Sequence, residues 1–130
     1  MYLELLNKIK LEASAFTSNR IVIQGEQYTP VATSSYLRLT QIPSEPTQAT
    51  IGQNRIVRYF GILQLDYLQA KSDVNSNTVI NNIIDHFNSV RFFELSDGNN
   101  ITITMCWANQ SITNNDTMIT PIQLRYEYYK

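Results

Sequence analysis

Cysteine and histidine each occur once in this sequence, as Cys106 and His86. A lone thiol cannot close an internal disulfide, so nothing in the fold requires an oxidising compartment and an intracellular origin is expected. The His/Cys spacing of a zinc site is missing, as are the Gly-x-x-x-x-Gly-Lys phosphate loop and the Gly-x-Gly-x-x-Gly dinucleotide turn. Catalysis by a nucleophile or a base needs a further group that orients the base. His86 follows Asp85 on a helical segment, and helix neighbours point about 100° apart, so this carboxylate orients the imidazole poorly. Cys106 alternates with Met105 and Trp107 in a strand pattern, where a small buried thiol is the usual outcome. A pairing of Cys106 with His86 would arise only through the tertiary fold. A carboxylate-only site would fall on Asp66 with Asp97 or Glu94, which read as solvated strand-end and turn residues. The expectation is a protein that is not an enzyme and that uses no metal and no cofactor.

Charge is scarce as well. Charged residues make up 16% of the chain, against about a quarter in typical soluble domains, which suggests that a partner covers part of the surface. The 10 basic and 11 acidic side chains leave a net charge of -1. The basic ones are scattered from Lys8 to Lys130 and form no stripe of the kind a nucleic-acid groove needs. No run approaches the ~20 apolar residues of a membrane helix, and no basic segment followed by an apolar core stands near Met1. A soluble, unsecreted protein without membrane contact is expected. Asn100-Ile101-Thr102, Asn109-Gln110-Ser111 and Asn115-Asp116-Thr117 match glycosylation acceptors, but a chain rich in Asn, Ser and Thr yields such triplets by chance.

What is present is periodicity. The 130 residues suit one domain, 1–130, with one core. Tyr2, Leu5, Leu6, Ile9, Ala13 and Phe16 recur at helical spacing and predict an amphipathic helix over about 2–16. Val79, Ile80, Ile83, Ile84 and Phe87 predict a second over about 76–88, capped by Ser76 or a nearby Asn or Asp. Strands are predicted at Arg20–Ile23, Tyr36–Ile42 and Ile56–Leu68, the last with Val57, Tyr59, Leu63, Leu65 and Tyr67 on one face. Two more, Phe92–Leu95 and Ile101–Trp107, flank a hairpin signal at Ser96-Asp97-Gly98-Asn99. A polar loop follows from Ala108 to Thr117, and Ile122, Leu124, Tyr126 and Tyr128 mark the closing strand. The order implies an α+β, two-layer single domain, a mostly antiparallel β-sheet packed against two α-helices. Its core is expected to hold Leu5, Ile9, Phe16, Leu37, Leu39, Leu63, Leu65, Ile80, Ile84, Phe87, Ile103, Trp107 and Leu124.

Between the two central strands the pattern becomes more specific. Tyr36-Leu37-Arg38-Leu39, Ile42-Pro43, Pro46, Ile51-Gly52 and Arg58-Tyr59-Phe60-Gly61-Ile62-Leu63-Gln64-Leu65-Asp66 follow in order. The set resembles the signature of the bacteriophage tail terminator, or tail completion, family. There a Tyr-hydrophobic-Arg strand passes through a loop marked by proline and glycine into an aromatic-Gly-hydrophobic-x-Gln-hydrophobic-Asp strand. Tyr28-Thr29-Pro30, the helix ending at Phe87 and Pro121-Ile122-Gln123-Leu124-Arg125-Tyr126 extend the resemblance over nearly the whole chain. The asparagine-rich second helix and the loop from Ala108 to Thr117 depart from it.

The resemblance implies a structural virion protein: a homo-oligomeric ring, usually a hexamer, at the head-proximal end of the tail tube. Such a ring stops tube polymerisation and joins the tail to the neck of the filled head. The implied partners are other copies of the chain, the tail tube protein and a neck or head-completion protein, with DNA in transit through the lumen. The implied location is the virion, after assembly in the host cytoplasm. Tyr36, Arg38, Gly61, Gln64 and Asp66 are then structural signature residues, and Pro43, Pro46, Gly52, Arg55 and Arg58 are candidates for contact with a neighbouring subunit or the tube. The polar segment from Gln41 to Asn54, with these arginines, is expected to reach such a partner and not its own core. Two alternatives stay open, a neighbouring head-tail connector or neck completion protein and a small monomeric binding module or enzyme.

Overall fold

The computed structural model describes residues 2–31, 33–48, 50, 56–114 and 117–130. In chain order these form α1 (Leu3–Ala13), β1 (Arg20–Ile23), β2 (Tyr36–Pro43), β3 (Thr47–Gln48), β4 (Val57–Gln69), α2 (Ser76–Ser89), β5 (Phe92–Glu94), β6 (Asn100–Ala108), β7 (Ile112–Asn114) and β8 (Thr117–Tyr129). One sheet takes in every strand, in the order β1-β2-β4-β8-β6-β5, with β3 beside β4 and β7 beside β8. The α+β class holds, but the sheet is mixed: β1 and β2 run parallel, with Arg20 opposite Tyr36 and Ile23 opposite Leu39. Alternation marks the face of a strand and carries no information on its direction. Residues 24–35 are long enough for the crossover of about a dozen residues that a parallel pair needs.

Helix α1 buries Leu5, Leu6, Ile9 and Ala13 completely, with Glu4 in its first turn and Lys10 in its last, each at the favourable end of the helix dipole. It stops at Ala13, short of the Phe16 predicted. The N–H groups of Ala15 and Phe16 bond to the carbonyls of Glu12 and Ala13, a tightened turn that leaves Phe16 half-buried at the edge of the core. Helix α2 buries Ile80, Ile83 and Phe87, while Ile84 lies only partly covered at the margin. Its N-cap is Asn75, without a side-chain capping bond, and the asparagines inside it are poor helix formers. The apolar face therefore holds the helix, at roughly 1.5–3 kcal/mol for each fully buried large side chain.

Strand β4 sends Leu63, Leu65 and Tyr67 into one cluster with Leu37 and Leu39 of β2, Ile122, Leu124 and Tyr126 of β8, and the buried residues of both helices. Gly61 lies in this register. A Cβ there would sit 2.5 Å from the carbonyl oxygen of Ile42 and 2.9 Å from the Tyr126 hydroxyl, so the approach of β2 to β4 at this point requires glycine.

Two expectations fail in the second half of the chain. In β6, Ile103 faces Tyr126 and Met105 faces Arg125, so Thr104 is an extra residue in a β-bulge. The bulge inverts the alternation: Cys106 joins Ile101 and Ile103 in the core, and Met105 and Trp107 turn to the opposite face. Trp107 is therefore not a core residue. The segment predicted as a polar loop from Ala108 to Thr117 contains β7, which pairs with the start of β8 through Ile112 opposite Ile119. Exposed hairpin strands of this kind carry little hydrophobic alternation, and the sequence gives no period to read there.

Candidate functional site

The alternate residues of β2, β4, β8 and β6 point away from the core cluster and form a second face. Register places Ile42, Ile62, Arg125 and Met105 in one row across the four strands, and Thr40, Gln64, Gln123 and Trp107 in the next. Ile42 and Met105 are about half exposed, at 47% and 51%, and Phe92 on the edge strand β5 reaches 74%. Phe60, Ile62 and Trp107 are partly exposed on the same face.

Polar bonding fixes this face. Gln123 donates from Nε2 to Gln64 Oε1 at 3.0 Å, Gln64 donates from Nε2 to Asp66 Oδ1 at 2.9 Å, and Arg38 Nη2 lies 3.5 Å from Asp66 Oδ2. Three of the five signature residues, Arg38, Gln64 and Asp66, thus meet in one chain of contacts across β2, β4 and β8. The Asp66 carboxylate is nearly buried, at 7% exposure, and its guanidinium partner offsets that burial. Tyr36 packs its ring against Tyr28 at 5.0 Å, and Gly61 is the close-approach residue already described.

The proposed contact residues are dispersed. Pro43 closes β2 opposite Gly61, and Pro46 is exposed just before β3. Thr47 and Gln48 pair with Arg58 and Val57, so part of the supposed loop returns to its own sheet edge while remaining exposed. Arg58 is a strand residue: its Nε donates to Glu127 Oε2 at 2.9 Å and its guanidinium lies 4.2 Å from the centroid of the Phe60 ring. Gly52 and Arg55 lie outside the described residues. Arg125, which the sequence did not single out, stands with Cζ 5.5 Å from the Trp107 ring centroid. Among the described residues no carboxylate lies within ion-pair distance of it.

The reactive groups are placed for structure. His86 Nε2 meets Glu12 Oε2 at 2.9 Å, not Asp85, and its ring packs on Phe16 at 4.9 Å, which ties α2 to α1. Burial pushes the Cys106 thiol up to about 12, far from the thiolate that reacts. Among the described residues no three His, Cys, Asp or Glu side chains gather to hold a metal ion. A polar cavity of about 380 Å³ is lined by Asn19, Ser35, Tyr67 and Asp73 among others. There Asp73 accepts hydrogen bonds from the Ser35 and Tyr67 hydroxyls and from the Asn75 N–H, so its carboxylate is committed to joining three segments of chain. Sequence reasoning missed this cluster because Ser35 lies 38 residues from Asp73 and Tyr67 reads from its alternation only as a core residue of β4.

Comparison with known proteins gives a family and a fold. The model of a family described as phage tail terminator protein matches residues 4–126. A solved protein structure superposes with a TM-score of 0.73 at 20% sequence identity, covering 97% of this chain and 91% of its own, a likeness of fold alone. No curated protein sequence matches the chain.

Proposed function

Since the chain belongs to the phage tail terminator family, a family of structural tail components, we propose that it works as one subunit of a homo-oligomeric ring, most simply a hexamer. The ring would cap the head-proximal end of the tail tube, stop its polymerisation and join it to a neck or head-completion protein. Double-stranded DNA would pass through its lumen. We read the domain as two layers, helices over one face of the sheet, with the other face left for assembly. In this reading the tail tube protein and further copies of the chain are the partners, and assembly takes place in the host cytoplasm.

The observation that carries this reading is the family match across residues 4–126. Two features support it. The sheet face away from the core keeps Ile42 and Met105 about half exposed, apolar surface of the kind that a partner covers. The chain is also close to neutral, at -1, which suits a channel that passes a polyanion without holding it.

The test is native mass spectrometry of the purified protein, alone and after release from tails. A species near 90 kDa, six times the 15.0 kDa chain, is expected from tails. Monomer as the sole species from both sources would count against the ring.

A further inference from the structure

We propose that the uncovered face of the sheet seats a second copy of this chain, which lays the outer stripe of its α1 helix across β2, β4, β8 and β6. The inference rests on the ring reading and names the two surfaces that would meet in it.

The sheet face asks for a partner with apolar side chains and a carboxylate. Its middle row runs Ile42, Ile62, Arg125 and Met105, and Ile42 and Met105 stay half exposed although nothing of the chain's own core needs them there. Of the three arginines on this face, Arg38 has Asp66 and Arg58 has Glu127. Arg125 has the Trp107 ring and no carboxylate among the described residues. A guanidinium held against an aromatic ring loses little further entropy on pairing.

Helix α1 offers the complement. Its inner side is spent on Leu5, Leu6, Ile9 and Ala13, yet Leu3, Asn7 and Leu11 form a second line at a spacing of four residues, with Leu3 52% and Leu11 66% exposed. Glu4 borders that line. Its carboxylate accepts the Ser96 N–H at 2.6 Å and has no cation within ion-pair distance among the described residues. Because α1 packs against the core side of its own sheet, its outer line and the uncovered face lie on different sides of one subunit. They cannot meet within a chain but can meet between chains, as a heterologous contact that repeats sheet on helix around a closed ring.

The test is a charge-swap series read by native mass spectrometry and by complementation of infectivity, with circular dichroism melts as a check on folding. Arg125→Glu and Leu11→Asp should each melt like the wild type, Glu4→Arg should melt lower because it loses the Ser96 bond and the favourable end of the helix dipole, and each should weaken ring assembly by about tenfold or more. The double variant Arg125→Glu with Glu4→Arg should recover most of it. If wild-type rings form and all three single variants assemble equally well, this pair of surfaces is wrong and the ring stands. The absence of wild-type rings, even in tails, would overturn the ring and this contact together.

Discussion

The guanidinium of Arg125 stands over the indole of Trp107, with Cζ 5.5 Å from the ring centroid, on the face of the sheet away from the core. The contact exists because the bulge at Thr104 turns Trp107 outward beside Arg125, which occupies the adjacent row of β8. Trp107, the single tryptophan, is therefore a reporter of the uncovered face. In the monomer its fluorescence should be quenched readily by acrylamide, and Trp107→Ala should cost only about 1 kcal/mol. Leu124→Ala, in the core of β8, should cost about 2–5 kcal/mol. Equal costs in urea melts would mean that the tryptophan is buried and the bulge misplaced.

Adjacent isoleucines in α2 should separate in the same way. Ile83 is fully buried and Ile84 lies at the margin of the core. Ile83→Ala should lower stability by about 2–5 kcal/mol, and Ile84→Ala by less than half as much. The reverse order in thermal melts would rotate the helix.

Gly61→Ala tests the closest approach in the sheet. The new methyl group would meet the Ile42 carbonyl oxygen at 2.5 Å and the Tyr126 hydroxyl at 2.9 Å, where Tyr126 accepts a 2.8 Å bond from Gln41 Nε2. Backbone must move to accommodate it, at about 1–3 kcal/mol or more. Hydrogen exchange should quicken first in β2 at the amides of Gln41 and Ile42. A variant as stable as the wild type would show that β2 lies further from β4.

Acid should loosen the junction at Asp73. Burial alone would raise its carboxyl, but bonds from the Ser35 and Tyr67 hydroxyls and the Asn75 N–H bring it below the ordinary value of 3.8. A carboxyl lowered in the folded state stabilises fully above its unfolded value, and that contribution is lost as pH falls through the folded one. Stability should therefore drop as pH falls below about 4, and Asp73→Asn should be less stable at neutral pH with a flatter acid limb. An unchanged acid limb in that variant would remove Asp73 from the account.

The helices, the long strands and most of the core were legible because amphipathic spacing in α1, α2, β2 and β4 is strong and local. The parallel pairing of β1 with β2 was not, since alternation is the same in either direction. Trp107 was misread because a bulge shifts the period by one residue without altering composition. Of the site, the signature gave Arg38, Gln64 and Asp66, which the fold brings into one chain of contacts. Arg125, Gln123 and Glu127 complete that face from β8, where alternation showed only which side they take. Their partners on β4 and β6 depend on registers that no local pattern encodes.

The most direct test of the central claim is electron microscopy of particles assembled by a phage whose copy of this gene is deleted. The account expects filled heads separate from tails, and tails of variable, often excessive length, with normal particles restored when the protein is supplied in trans. Tails of uniform normal length joined to filled heads in the deletion strain would contradict it.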